Sequence, residues 1–269
     1  MAQTAVIDKI GRPIGASDTD NGVTITADAI MGDRYNAVIV YTISRDDGTA
    51  LLPEGVEANA LLVGGFGGAS LDVMSGSHGS SHFVDETPGD NAIQLVQSIS
   101  ADYPLSGCTA TAEFQDLCRW DETAEKPVTL VEGHWKFCFD AVYEDASVTL
   151  GGGETFTQDG LTFTVDQITL SPVAIKVDYT VDSEVKWSDA SSGREDPSDS
   201  LQTQRYLGNV AIVLTKTDGT EVTLSGCGSS LKPESVTVCD KGGVFDMILP
   251  LEEIESVSVG GIVYEVTGS

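Results

Sequence analysis

Residues 21–30 and residues 159–168 are two copies of one ten-residue pattern. The first reads NGVTITADAI and the second DGLTFTVDQI, at an offset of 138 positions. The copies are still in step where Tyr41 matches Tyr179. Because gapless repeats mark repeated structural units, the sequence predicts one strand hairpin that is used twice.

Each copy has the pattern of a strand that follows a tight turn. It opens with Asn-Gly or Asp-Gly, the dipeptides that two-residue hairpin turns prefer. Apolar residues then alternate with threonine, which is the period of a strand with one buried face. Helical periodicity is confined to one turn at residues 250–254. We therefore expect an all-β chain of two tandem immunoglobulin-like β-sandwich domains related by the internal repeat.

A run of three glycines, Gly151-Gly152-Gly153, precedes the second copy. It predicts an N-terminal β-sandwich domain over residues 1–150 and a C-terminal immunoglobulin-like β-sandwich domain over residues 151–269. Two segments rich in Gly, Ser and Asp, residues 64–88 and 182–200, are predicted to be long loops. Such loops are common binding sites on β scaffolds.

The chain is strongly acidic, with 42 Asp and Glu against 14 Lys and Arg and a net charge of −28. This charge repels phosphate backbones and excludes nucleic acid as an expected partner. Solubility alone is a sufficient reason for it, although loop carboxylates also leave weak Ca²⁺ association open. No run of 18 apolar residues is present, so this segment is not predicted to span a membrane.

The five cysteines lack the C-x-x-C spacing of zinc and redox sites. Cys227 and Cys239 flank a short segment, and we expect a disulfide between adjacent strands there. Cys118 is predicted to pair with Cys138 or with Cys108, which leaves one thiol over. Five reduced thiols are the alternative, as in a cytosolic protein.

His78 and His82, followed by Asp85, are candidate binding residues in the first predicted loop. On a helix this histidine spacing would converge on a metal ion. Gly79 and the neighbouring serines favour a loop, where the spacing has no fixed geometry. The sequence therefore predicts a polar binding loop with neither a metal site nor a cofactor.

Trp187, within the second predicted loop, is a further candidate binding residue. An exposed tryptophan can anchor a protein partner or stack on a sugar. The alternative, which we favour, is a ring that closes one end of the sandwich core.

The sequence gives no support for catalysis. It contains no G-x-S-x-G, P-loop or dinucleotide-binding motif, and only three histidines. Paired carboxylates of the glycosidase type are indistinguishable from chance pairs among so many acidic residues. We therefore expect a protein that is not an enzyme.

Residues 8–28, DKIGRPIGASDTDNGVTITAD, resemble the opening of a domain of unknown function. That domain occurs in the extracytoplasmic part of anti-sigma-factor-like membrane proteins of Gram-positive bacteria. Residues 82–86 and 133–137 are similar to later parts of the same domain. From Glu154 onward the chain resembles the immunoglobulin-like domain that often follows it, including residues 257–262.

The resemblance implies a non-catalytic sensory or binding region in the cell envelope, part of a membrane-anchored regulator that recognises an envelope ligand or protein. Contact with the membrane and with a sigma factor is expected only through segments absent from this chain. The resemblance transfers no catalytic residues. The alternative is a surface-displayed structural or adhesive β-sandwich module.

Overall fold

The structure is a computed structural model that describes residues 11–72, 77–101, 103–121, 123–188, 196–224, 228–233, 235–245 and 247–266. More than half of the described residues are in strands, and the paired strands are antiparallel, with one short helix, which confirms the predicted all-β class. The chain divides into two compact units, residues 1–146 and 147–269. We had placed this boundary four residues later, after residue 150. Residues 148–150 belong to the second unit because they pair with one of its strands.

The described residues of the first unit form ten strands: β1 (Arg12–Asp20), β2 (Val23–Gly32), β3 (Asn36–Arg45), β4 (Gly67–Leu71), β5 (Ser77–Val84), β6 (Ala92–Ala101), β7 (Cys108–Phe114), β8 (Leu117–Asp121), β9 (Lys126–Val131) and β10 (Trp135–Ala141). A 3₁₀ turn, Ala58–Ala60, precedes β4. The strands form a five-stranded sheet of order β1-β2-β3-β6-β5, a three-stranded sheet of order β10-β7-β4, and a separate hairpin of β8 and β9.

Ten further strands occur in the part of the second unit that the structure describes: β11 (Val148–Leu150), β12 (Thr155–Gln158), β13 (Leu161–Leu170), β14 (Ala174–Val181), β15 (Ile212–Lys216), β16 (Glu221–Thr223), β17 (Gly228–Pro233), β18 (Thr237–Val244), β19 (Ile254–Val259) and β20 (Ile262–Glu265). One sheet has the order β13-β14-β18-β17, with β11 and β12 both paired to β13. The other has the order β16-β15-β19-β20.

The two units share one strand order. When β11 and β12 together are matched to β1, each later strand of the large sheet has a counterpart in the other unit, and β4-β7-β10 corresponds to β15-β19-β20. The second unit adds β16, and the first adds the β8–β9 hairpin. This confirms the expectation, drawn from the repeat, that both halves have the same strand order.

The immunoglobulin-like description is not confirmed. In a constant-type immunoglobulin domain the third strand lies in the opposite sheet from the first two. Here β1, β2 and β3 are neighbours in one sheet, and β13 and β14 repeat that arrangement. These units therefore differ from an immunoglobulin domain in the order of their strands and not in their packing into two layers.

The repeated segment has the same backbone conformation in both units. Asn21 and Gly22 have φ of 47° and 73°, and Asp159 and Gly160 have φ of 51° and 72°. Positive φ at both central residues defines the type I′ turn that suits the twist of a hairpin. The strand after each turn then carries a bulge at equivalent places, between Ala27 and Ala29 and between Val165 and Gln167.

An aspartate occupies each bulge and binds the next strand. Thr42 Oγ1 donates to Asp28 Oδ2 at 2.6 Å, and Thr180 Oγ1 donates to Asp166 Oδ1 at 3.5 Å. Desolvation by the surrounding atoms raises the pKa of Asp166. The repeat therefore preserves a side-chain hydrogen bond at the bulge as well as the alternation of apolar residues.

Each unit has its own core between its two sheets. In the first, the ring of Tyr41 on β3 meets that of Phe114 on β7 edge-on, with centroids 5.2 Å apart. Trp135, Phe137 and Phe139 of β10 are buried on one face, as their alternation predicts. Trp135 Nε1 donates to the Val23 carbonyl at 2.8 Å, which satisfies the polar atom of a buried ring.

The predicted loops contain secondary structure. Residues 64–88 include β4 and β5, and residues 182–200 include the start of a helix, α1 (Pro197–Thr203). Asp196 caps α1 through Ser198 N, and proline occupies its first turn. The single turn predicted at residues 250–254 is a 3₁₀ turn, Leu251–Glu253.

Side chains of the large sheet form hydrogen bonds with backbone groups at both edges of the small sheet in the first unit. On one side, His134 N donates to Asp20 Oδ2 at 2.9 Å and Lys136 N donates to Asp18 Oδ2 at 2.8 Å. On the other, Gln97 accepts from Ala69 N at 2.9 Å and donates to Ala69 O at 3.0 Å. These side chains replace strands that the small sheet lacks.

The disulfides predicted for Cys118, with Cys138 or with Cys108, are not formed. Cys118 and Cys138 are free thiols on strands of different sheets, and Cys239 is a free, buried thiol. Cys227, the partner predicted for Cys239, lies outside the described residues.

The double variant Asp18→Ala/Asp20→Ala tests the role of the carboxylates. We expect the free energy of unfolding to fall by about 2 kcal/mol, near 1 kcal/mol for each hydrogen bond lost, in chemical denaturation. Asp140→Ala is the control, because the described residues give that carboxylate on β10 no hydrogen bond. An equal loss in the control would contradict the assignment.

Candidate binding site

His78 and His82 lie in strand β5 and not in the loop that we predicted. Both side chains are exposed and point to the same face of the sheet, since they are four residues apart on a strand. That spacing separates their Cα atoms by about 13 Å, too far for one metal ion. Among the described residues, no cluster of His, Cys, Asp and Glu is arranged to hold a metal.

The other two candidate residues lie in different units, Asp85 in the first and Trp187 in the second. Asp85 follows β5 and closes a turn by accepting from Thr87 N at 3.0 Å. Trp187 belongs to the other unit and is 43% exposed, so the interpretation as a ring closing the core is wrong. Its neighbour Ser188 binds Asp199 of α1 through both N and Oγ, each at 2.7 Å.

His78 and His82 both lie on β5, a strand with an open edge. This strand is the last in its sheet, and in the described part of the chain its strand partner is β6 alone. Ala101 N donates to Tyr35 O and Arg45 N donates to Asn91 O. These bonds direct the backbone groups of odd-numbered β6 residues towards β3, because successive residues of a strand bond to opposite sides.

The even-numbered residues of β6 therefore bond to β5, where they oppose His78, Ser80, His82 and Val84. It follows that the N–H and C=O groups of Gly79, Ser81 and Phe83 point away from the sheet. No backbone partner for these three residues occurs among those the structure describes. They form an outward row of donors and acceptors spaced by about 6.6 Å.

The equivalent edge strand of the second unit is closed to such pairing. By the same reasoning, since Phe245 N donates to Val173 O, the outward positions of β17 are Ser229, Leu231 and Pro233. Proline has no N–H to offer, and proline and lysine at an edge discourage strand addition. Strand β5 has neither.

Gly79 lets β5 approach β6 closely. A Cβ atom at this position would collide with the carbonyl oxygen of Ser98 on β6. The strand therefore requires glycine here, although its backbone conformation is extended. The glycine and serine content that we interpreted as loop composition is in part a packing requirement.

A separate polar cluster lies at the start of β10, on the side of the unit away from β5. His134 Nε2 lies 3.0 Å from Glu113 Oε1, and Lys136 Nζ lies 2.7 Å from Glu113 Oε2. These hydrogen bonds, with the one from Lys136 first, lower the pKa of Glu113. All three side chains are largely exposed, and the imidazole faces a carboxylate and not a nucleophile, so the cluster is an ion-paired surface.

The comparisons with known proteins leave function open. No family model matches the chain, and no curated protein matches it. A solved structure of a conserved domain protein from Bacillus anthracis is similar over 93% of this chain and 76% of that one, at 14% sequence identity and a TM-score of 0.49. In the part of this chain that the structure describes, no helix is long and apolar enough to cross a membrane.

Replacing Gly79 by alanine should destabilise the first unit. We expect a fall of at least ~1 kcal/mol in the free energy of unfolding, because the added methyl group forces β5 away from β6. Gly64→Ala is the matched control, since nothing lies within 4 Å of a Cβ there and its φ is not positive. Urea denaturation of the two variants measures the difference, and equal stabilities would disprove the close-approach argument.

Proposed function

We propose that this chain is a non-catalytic binding region whose site is the open edge of β5. An extended segment of polypeptide would add to β5 as a further strand, with main-chain hydrogen bonds to Gly79, Ser81 and Phe83. This mode of recognition is known as β-augmentation. The observation that supports this proposal is the outward row of backbone groups on β5. At the edges of β4 and β10, by contrast, backbone N–H groups are hydrogen-bonded to side chains.

The proposed cellular setting comes from the family resemblance. We propose that the chain is the extracytoplasmic sensory region of a membrane-anchored, anti-sigma-factor-like regulator in the cell envelope. In that setting, occupancy of β5 by an envelope protein would be the signal. Contact with the membrane and the sigma factor would be made by segments outside this chain.

A surface-displayed structural or adhesive module is the second candidate. It is favoured by the repetition of one strand order in two consecutive units, since tandem β-sandwiches commonly serve as spacers. In this function β5 would be a contact point on the spacer and would carry no signal.

The reading frame that encodes the residues before Gln3 distinguishes the two candidates. We expect a transmembrane helix preceded by a short, charged cytoplasmic segment, since a sensor must connect its outer region to the sigma factor. Sequencing the source gene upstream of this segment is the measurement. A cleavable signal peptide with no transmembrane helix would contradict the sensory proposal and favour the adhesive module.

Strand addition is tested by a proline at an outward position of β5. Ser81→Pro removes one outward N–H and leaves the bonds to β6 in place, an arrangement that edge strands tolerate. A random octapeptide library displayed on phage is selected on the unmodified chain, and the enriched peptides are resynthesised. We expect Ser81→Pro to weaken their binding at least tenfold in fluorescence anisotropy.

Ser229→Pro is the control, because it places proline at an outward position of β17 in the other unit. We expect this variant to bind the selected peptides as the unmodified chain does. An unchanged thermal unfolding temperature in both variants shows that the fold is kept. If no enriched peptide distinguishes Ser81→Pro from the unmodified chain, β5 is not the binding site.

A further inference from the structure

We infer that the segment that docks on β5 is basic at its ends and apolar at alternate positions between them. This inference rests on the proposed function, because it specifies the chemistry of the partner that adds to the same edge. It follows from the charge of the surrounding chain and from the side chains that β5 presents on its core side.

The part of the chain that contains β5 carries no permanent positive charge. Residues 46–118 include eleven Asp and Glu and not a single Lys or Arg. This stretch runs from the turn after β3 through β7, and so it supplies both edge strands on the β5 side of the unit. A cationic segment that approaches this side is attracted along its whole path, and an anionic one is repelled.

Carboxylates follow β5 directly and also occur close to it in the sequence. Asp85 and Glu86 follow its last residue, and Asp72 precedes the strand by five residues. The 3₁₀ turn Ala58–Ala60, which packs against the core cluster through Ala58, is in contact with β5, and exposed Glu57 immediately precedes this turn. A Lys or Arg residue of a docked strand that lies beside Asp85 and Glu86 would therefore meet negative charge in either strand direction.

The middle of β5 has no acidic side chains, and the residues there that face the core are small. Gly79 and Ser81 share that face with Phe83, which is buried in the core cluster of the unit. Partly buried Val56, Ala58 and Val63 also pack against this cluster. A docked strand alternates its side chains in the same way, so apolar residues at every second position would extend the core beyond the edge.

A second copy of this chain fits the edge poorly. Two copies with a net charge of −28 each repel one another at moderate ionic strength. The strand most exposed for such pairing, β5, has the acidic stretch on both sides of it in the sequence. Charge complementarity thus selects a basic segment of a different protein.

The composition of the selected octapeptides tests the inference. We expect the peptides that fail to bind the Ser81→Pro variant to contain at least twice as much Lys and Arg as the input library. Their affinity for the unmodified chain should fall with added salt. We also expect Asp85→Asn/Glu86→Gln to weaken these peptides three- to tenfold. Asp140→Asn/Glu144→Gln, which removes the same charge from the β10 side, should leave their affinity unchanged.

The outcomes separate this inference from the proposed function. Peptides that depend on Ser81 but have the charge composition of the input library overturn the basic partner and leave strand addition standing. Equal effects of the two charge variants also overturn it, because the attraction would then come from the total charge and not from the ends of β5. A lack of peptides that depend on Ser81 overturns both.

Discussion

The small sheet of the first unit depends on side chains that act in place of strands. Carboxylates of Asp18 and Asp20 accept from β10, and the amide of Gln97 both accepts from and donates to Ala69 on β4. Since unpaired edge groups attract other chains, these contacts protect a sheet of three strands. They also bind it to the large sheet, because the three side chains come from β1 and β6. Gln97 reaches the core as well, where it accepts from the hydroxyl of Tyr41 at 3.1 Å.

The second unit treats its edges differently although its strand order is the same. There β16 pairs with β15, the counterpart of β4, so a strand replaces the amide of Gln97. Pro233 leaves an outward position of β17 without a donor. The repeat thus preserves turns, bulges and buried faces, while the two copies diverge at the edges. Divergence at an edge changes which backbone groups a sandwich exposes without disturbing its core.

The sequence was sufficient where local chemistry decides the structure. Asn21-Gly22 predicts its turn, and the aromatic alternation at Trp135 predicts a buried face, because both depend on neighbouring residues. It was insufficient where distant pairing decides. The partner of β3 is β6, some fifty residues on, and nothing local distinguishes that order from an immunoglobulin one. Strands β4 and β5 were missed because glycine and serine satisfy a backbone ladder as well as a loop. The open edge consists of backbone groups, so no residue type in the sequence predicts it.

An open edge is an aggregation hazard unless something keeps like chains apart. In β17 that role falls to Pro233 and Lys232, but β5 has neither. Strand β5 can remain unblocked because the chain around it is acidic, and repulsion between copies acts at a distance, before edge groups meet. Charge is also more selective than proline. Proline closes an edge to every strand, whereas negative charge closes it to the protein's own copies and leaves it accessible to a segment of opposite sign. The acidity that first suggests only solubility is then also the condition under which a usable edge can be kept.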